Sequence, residues 1–290
     1  MVARVVSETD IITADADRLA GWLATHANVT VITGAGVSTG SGIPDYRDGD
    51  GNWKRSPPVQ YRDFVASEAV RRRYWARSFT GWPMFKAARP SAAHVALARL
   101  ERAGRVARVV TQNVDRLHQR AGSRNVIDLH GRLDVVRCLA CESRTDRDVF
   151  QQRLRAANPG WDTSPARIAP DGDADVEGVD FGAFAVPACE VCGGVLKPDV
   201  VFYGESVPRE RADAAMDAAI EADGVLVAGS SLMVWSSFRL VRAASQRGIP
   251  VVAVNRGHTR ADELFEFKID AECGRVLMAA LAARGGSSFS

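Results

Sequence analysis

The sequence carries almost no net charge: 37 Lys and Arg against 35 Asp and Glu leave +2 across 290 residues. So balanced a chain has no whole-molecule pull toward nucleic acid or an anionic membrane surface. Long hydrophobic runs are missing too. No stretch reaches the roughly 18 apolar residues of a spanning helix, which argues against a membrane span. Residues 1–10 alternate apolar and polar side chains without a continuous apolar segment, so no secretory signal is expected. Cysteine is scarce, at five in the whole chain, too few for a disulfide scaffold of this length. Lysine occurs only at 54, 86, 197 and 268, a bias with no functional reading. What is present is ordinary for a globular protein: 46% apolar and 25% charged residues exclude wholesale disorder and suffice for one large domain or two smaller ones. Cytoplasm is the expected compartment.

The apolar residues fall into a rhythm. Residues 29–32 (Val-Thr-Val-Ile) read as a buried parallel strand that runs straight into Gly34-Ala35-Gly36. Similar runs recur at 106–111, 126–129, 200–203, 225–228 and 250–254, with helical patterns at 209–222 and 236–247. Thr13 is placed to cap a helix whose stripe is Leu19, Trp22 and Leu23. Gly104, Gly224 and Gly248 each follow a helical pattern and precede a strand, as C-terminal caps would. Strands alternating with helices predict an α/β fold with a parallel sheet covered on both faces. Two stretches break the rhythm: 60–103 is helical in pattern, and 132–197 holds four of the cysteines. Both are expected to build a smaller lobe, a helical insertion and a cysteine module. Segments 1–59, 104–131 and 198–290 are left for the sheet domain.

Chemistry concentrates at a few places. A strand ending in Gly-Ala-Gly lets backbone approach a pyrophosphate, and the same residues serve equally as a tight turn. The usual dinucleotide fingerprint is not met: its third glycine is out of place, and no second strand ends in an acid at the right distance. Cys138-x-x-Cys141 and Cys189-x-x-Cys192 are separated by 47 residues. Two such knuckles present four thiolates to a zinc ion, in a closed and therefore structural site; the rival reading is redox-active dithiols. Thr111-Gln112-Asn113-Val114-Asp115 ends a strand, where ligands bind in such sheets, although Asn113 also reads as a helix cap. His130, in Asp128-Leu129-His130-Gly131, ends another strand, either as a structural histidine or as a general base with a near-neutral pKa.

Together, GAGVSTGSGIPDYRD (34–48), TQNVDRLHQRAG (111–122), LHG (129–131), the two CxxC pairs, KPDVVFYGE (197–205) and AGSSLMV (228–234) resemble the sirtuins, NAD-dependent protein deacylases. The motifs run in the family's order over residues 33 to about 273. RYWARSFTGWPMF (73–85), GSS at 229–231 and the loop carrying Ala169-Pro170-Asp171-Gly172-Asp173 look most like the class II branch.

The resemblance implies a Rossmann-like NAD domain, a small zinc-and-helix lobe and an active site in the cleft between them. It implies that Gly34, Ala35 and Gly36 cradle the pyrophosphate, with Arg47 supplying positive charge and Tyr46 beside it. Ile43 and Asp115 would hold the nicotinamide carboxamide, and Gln112 and Asn113 the adjoining ribose. Gly229, Ser230 and Ser231 would reach phosphate or ribose. Asn255, Arg256 and Gly257 would meet the adenosine, and Cys273 the adenine pocket. In the implied reaction the acyl-lysine carbonyl oxygen displaces nicotinamide. His130, with Asn113, then serves the catalysis as general base on a ribose hydroxyl, and water completes release of free lysine and O-acyl-ADP-ribose. The Val201 carbonyl would accept the substrate amide N–H, Tyr203 would wall the acyl-lysine tunnel, and Gly204, Glu205 and 232–235 would pair with peptide backbone as added strands. Implied partners are NAD, structural zinc and an acyl-lysine protein, with no nucleic acid and no membrane.

The sequence departs from the family pattern at Tyr46 and Tyr203, where phenylalanine is frequent, and at Lys197, where arginine is. Tyr74-x-x-Arg77 has the spacing with which another branch grips acidic acyl groups, so Arg77 is a candidate for the acyl pocket beside Tyr74; its bland reading is a solvent-facing arginine. Competing functions are mono-ADP-ribosyl transfer to protein and a non-catalytic NAD- or zinc-binding module.

Overall fold

The computed structural model describes residues 8–46, 54, 58–161, 174 and 180–285. Arg47 and the 169–173 loop lie outside them. Helix α1 (Glu8–Thr25) leads into β1 (Val29–Thr33), followed by α2 (Tyr61–Ala66), α3 (Glu68–Ala87) and α4 (Ala92–Arg102). Next come β2 (Val106–Thr111), α5 (Leu117–Ala121), β3 (Val126–Asp128), β4 (Gly131–Cys138), β5 (Arg144–Asp146), α6 (Arg147–Ala157) and β6 (Leu196–Val200). The chain continues through α7 (Arg209–Ile220), β7 (Gly224–Ala228), α8 (Trp235–Gln246), β8 (Val251–Val254), β9 (Phe267–Ile269) and α9 (Cys273–Gly285).

Six strands form one parallel sheet in the order β3-β2-β1-β7-β8-β9. β1 explains its place at the centre. All five of its residues are buried and all five are β-branched, so it suits a position covered on both faces. Its side chains alternate accordingly. Val29 and Val31 face a core built with Leu19, Leu23, Leu97, Leu100, Val276 and Leu277 from α1, α4 and α9. Ile32 faces a second core with Ala215, Ala219, Leu240 and Val241 from α7 and α8. At about 1.5–3 kcal/mol for each large apolar side chain withdrawn from water, these two layers hold the sheet domain together. Among the described residues no helix is long and apolar enough to cross a membrane.

A second, antiparallel sheet of order β5-β4-β6 forms the small lobe. It packs with α2, α3 and α6 around Phe64, Trp75, Phe79, Phe150, Phe184 and Phe202. The boundary differs from expectation at one helix. Within 60–103, α4 turns Ala93, Ala96, Leu97 and Leu100 into the core of the parallel sheet, so it belongs with the sheet domain. Three local expectations are corrected. Residues 200–203 leave β6 at Val200 and are not a strand of the parallel sheet; only Tyr203 makes a bridge, to Gln60. Thr13 lies inside α1, which starts at Glu8. Gly104 and Gly248 have the positive φ of a cap, but Gly224 opens β7 against the ring of Trp22.

Candidate active site

β1 and β7 are neighbours in register, Thr33 beside Ala228, so the turns that follow them leave the sheet side by side. Strand order reverses between these two strands, which opens a crevice at their carboxyl ends. The turns interlock. The Gly36 N–H donates to the Gly229 carbonyl at 2.9 Å. A Cβ on Gly36 would sit 2.8 Å from the Gly229 backbone, and one on Gly229, at φ +59°, only 2.6 Å from the Val37 nitrogen. Glycine is obligatory at both positions, and it leaves this wall of the crevice as bare backbone. A cavity of about 710 Å³ opens there. Its lining includes Gly34, Ala35, Gly36, Ile43, Tyr46, Gln112, Asn113, Asp115, Gly229, Ser230, Ser231, Asn255 and Arg256. Gly257 is not in the lining. Cys273 also stands back from it, with its Sγ 3.6 Å from the Gly36 carbonyl, beneath the loop. Burial, and then the neighbouring Glu272 carboxylate, push its thiol up to about 12, so it is an inert buried group.

The Gln-Asn-x-Asp segment ties this crevice together. Gln112 Nε2 donates to Ser230 Oγ at 2.7 Å and to the Thr33 carbonyl at 3.1 Å. Asn113 Nδ2 donates to the Gly34 carbonyl at 3.1 Å and to Ser38 Oγ at 2.9 Å. Ser38 in turn donates to Asp115 Oδ2 at 2.7 Å. The capping role open to Asn113 falls instead to Asp115, whose Oδ1 accepts the Leu117 N–H at the start of α5. Burial raises the Asp115 carboxyl above its ordinary value, opposed in part by the Ser38 and Leu117 hydrogen bonds.

His130 lies in the same cavity. Its Nδ1 is 3.2 Å from the Gln112 carbonyl and its Nε2 is 2.7 Å from Ser236 Oγ, on the first turn of α8. Burial lowers its pKa to about 4, and the Arg211 charge adds to the effect while the Gln112 carbonyl opposes it. At neutral pH the ring is therefore uncharged. A carbonyl accepts but cannot donate, so Nδ1 carries the hydrogen and Nε2 presents a lone pair. Nothing in the sequence singles out Ser236 and Ser237. Read linearly, two serines opening an amphipathic helix signal only a cap, and the contacts that distinguish them reach back more than 100 residues.

The opposite wall comes from the segment after β6 and from α3. Val201, Tyr203, Gly204, Glu205 and Tyr74 line the cavity. The Val201 N–H donates to the His130 carbonyl at 2.8 Å, which fixes the wall to the histidine. Glu205 is an internal anchor: its Oε2 accepts from Lys197 Nζ at 3.0 Å and from the Phe202 N–H at 2.8 Å. Lys197 is buried, its ammonium 4.4 Å from the centre of the Phe202 ring. Burial lowers its pKa and the Glu205 charge opposes that. Arg77 is not brought to the cavity. Its Nε donates to the Ala174 carbonyl at 3.0 Å, and of the pair Tyr74 and Arg77 only Tyr74 lines the cavity.

The four cysteines of the small lobe converge. Cys138 and Cys192 have their sulfurs 3.5 Å apart, Cys141 and Cys189 3.8 Å, and all four lie within 4.8 Å of one another. Four thiolates around zinc at about 2.3 Å would stand about 3.8 Å from each other, so the set fits a tetrahedral ion. The second knuckle, just before β6, is closed by Cys189 N–H to the Gly194 carbonyl at 2.9 Å and Gly193 N–H to the Cys189 carbonyl at 2.8 Å. With every position filled by sulfur, a zinc ion held there would be structural.

A parallel sheet with a bare-backbone crevice at its switch point, beside a lobe held by four thiolates, defines a dinucleotide-binding protein with a structural metal module. The family model described as "Sir2 family" matches residues 34–236. The chain is 58% identical over 259 residues to a protein of Bradyrhizobium diazoefficiens named NAD-dependent protein deacetylase 2, covering 89% of this chain and 95% of that one. It is 50% identical to a Drosophila melanogaster protein named NAD-dependent protein deacylase Sirt4, over 97% of this chain and 91% of that one. A solved structure described as "Sir2-p53 peptide-NAD+" superposes with a TM-score of 0.76 at 28% identity, covering 93% of this chain and 98% of that one. The chain belongs to the Sir2 family, the sirtuins.

Proposed function

We propose that the protein is an NAD-dependent protein-lysine deacylase of the class II branch, taking its acyl group from a peptide-borne lysine. The single observation that carries this reading is one cavity whose walls are the glycine crevice, the Gln-Asn-x-Asp network and a neutral histidine with its lone pair at Nε2. Relatives named as deacetylases or deacylases support the activity, and the stretches at 73–85 and 229–231 support the branch. The fit to NAD rests on the crevice itself: backbone without side chains at Gly34 and Gly36, where a Cβ would collide with Ser230 or Gly229, is what a pyrophosphate needs for close approach.

NAD, when bound, supplies an electrophilic ribose carbon with nicotinamide as its leaving group. The chain's residues do the rest. Asp115 and Ile43 orient the carboxamide end, and Gln112 and Asn113 hold the ribose side of the cavity by the bonds that already fix them to Thr33, Gly34 and Ser38. His130 is the base whose Nε2 gains a proton when a ribose hydroxyl is deprotonated. Val201 and Tyr203 confine the acyl-lysine chain, and Gly204, Glu205 and residues 232–235 receive the peptide. Zinc takes no part in these steps; Cys138, Cys141, Cys189 and Cys192 hold the small lobe that supplies one wall.

The test is an acyl-lysine peptide panel with NAD, read by mass. Loss of the acyl group is expected from the wild type, with His130→Ala reducing turnover by about 10²–10⁴-fold while zinc content and melting temperature persist. Gain of ADP-ribose on the peptide, without loss of acyl, would replace deacylation by ADP-ribosyl transfer.

A further inference from the structure

His130 meets a hydroxyl directly at its reactive nitrogen. With Nδ1–H turned to the Gln112 carbonyl, the lone pair at Nε2 is 2.7 Å from Ser236 Oγ, so the serine is the donor in that bond. Ser236 is held in place by its own helix. The N–H groups of Ser237 and Phe238 close on the Val234 carbonyl at 3.3 and 3.1 Å, and Ser237 Oγ donates to Gln112 Oε1 at 2.9 Å. Gln112 thus orients the histidine through its backbone and the start of α8 through its side chain. A serine hydroxyl donates one hydrogen bond and accepts up to two. With its donor committed to His130, the Ser236 oxygen still accepts from a second hydroxyl, and both residues line the cavity where such a hydroxyl would arrive.

We propose that Ser236 is a catalytic residue that relays the proton from a ribose hydroxyl of the co-substrate to His130, a role that rests on the deacylase reading above. The substrate O–H bond breaks as a new Oγ–H bond forms on Ser236. In the same event the serine's original proton passes to His130 Nε2. Serine ends as it began and the imidazole becomes imidazolium. The electron pair of the broken O–H bond stays on the substrate oxygen, which becomes the nucleophile. The imidazolium later returns its proton to water or to the leaving amine along the same path. The surrounding charges bear on the histidine whether or not the serine is present: Arg211 disfavours the imidazolium, while Asp115, Asp213 and Arg239 share the cavity. A change specific to Ser236 therefore separates from the general field.

The test compares wild type, Ser236→Ala, Ser236→Thr and His130→Ala, with NAD and one acyl-lysine peptide. In S236A, kcat for deacylation is expected to fall about 10–100-fold, a share of what a full general base contributes, with both KM values within about twofold. Nicotinamide exchange into NAD should persist, because it precedes the proton transfer. S236T, which keeps the hydroxyl, should recover most of the loss. Rates in mixtures of light and heavy water should fit two moving protons in the wild type and one in S236A. A deacylation rate in S236A equal to or above wild type would show that the serine merely caps the histidine and overturn the relay. So would parallel loss of nicotinamide exchange, which would mark the defect as structural. Absence of acyl-peptide turnover by the wild type would overturn the deacylase reading and the relay with it, whereas wild-type turnover with an unimpaired S236A overturns the relay alone.

Discussion

Acidification should strip this protein of about 3 kcal/mol at His94 alone. The ring of His94 lies fully buried at the start of α4, its Nδ1 accepting the Ser91 N–H at 3.1 Å. Beside it, at 4.6 Å between ring centres and tilted by 63°, is His118, whose Nε2 shares a hydrogen bond of 2.9 Å with Thr33 Oγ1. No carboxylate is bonded to either ring among the described residues. Burial lowers the His94 pKa from 6.5 to about 4 and takes His118 well below its ordinary value, the His94 charge adding to the latter. Between pH 6.5 and about 4 the unfolded chain therefore binds a proton at His94 that the folded chain refuses. Stability is full above the unfolded value and falls as pH drops through that window, by up to about 1.4 kcal/mol per pH unit for one histidine. His94→Gln removes the titration but keeps the local geometry, since Ser-x-x-Gln is itself a capping box. Urea unfolding followed by tryptophan fluorescence, from about pH 7 to about pH 4.5, measures both proteins. The wild type's stability relative to H94Q should be constant near pH 7 and decline by about 2–3 kcal/mol toward the acid end. Titration of His130, the carboxylates and the thiolates is common to both and cancels in the difference. A difference independent of pH would refute the argument that a neutral, buried imidazole is built into this core.

Purified protein is expected to contain one zinc per chain, and Cys138→Ser to lose it, as metal analysis would show. Cys138 and Cys189 belong to the aromatic core of the small lobe, so the same variant should become protease-sensitive within 132–197. Retention of a full zinc equivalent would refute the four-thiolate site. Gly131→Ala should cost at least about 2–3 kcal/mol, because φ is +87° and the new Cβ would fall 2.0 Å from the Asp199 carbonyl oxygen. A melting temperature within about 2 °C of wild type would count against that close crossing of β4 and β6.

The parallel sheet was legible because its strands carry their environment in their composition. β1, β7 and β8 are short, fully buried runs rich in valine and other apolar residues, β2 departs from this only at Ala107 and the exposed Arg108, and the expected bounds of each agree to within a residue or two. β4 escaped for the opposite reason. Gly-Arg-Leu-Asp-Val-Val-Arg-Cys alternates burial unevenly, with two partly exposed arginines, and only pairing with β6 and β5 makes it a strand. The run at 200–203 differs because its residues serve a cavity wall and not a face of the parallel sheet; Val200, Val201, Phe202 and Tyr203 all line the cavity, and Val200 and Phe202 pack into the small lobe as well. Helix α4 likewise carries its own apolar stripe, but nothing local says which of two cores that stripe faces.

The site divides along the same line. Residues that must be what they are for backbone reasons announce themselves. Gly36 and Gly229 are fixed by a contact that excludes any Cβ, and Cys138, Cys141, Cys189 and Cys192 by ligand chemistry. Residues that act through a partner do not. Gln112 is an amide at a strand end until Thr33, Ser230 and Ser237 are brought around it. Its carbonyl then decides which nitrogen of His130 holds the hydrogen, and so which nitrogen can be a base. Ser236 lies 106 residues from that histidine in sequence yet 2.7 Å from it in space. The chemistry of the base is thus set by two contacts, one to a backbone carbonyl and one to a helix-start hydroxyl. Each exists only because β2, the end of β3 and the start of α8 meet at the same edge of the sheet, which makes the fold itself the device that selects the tautomer.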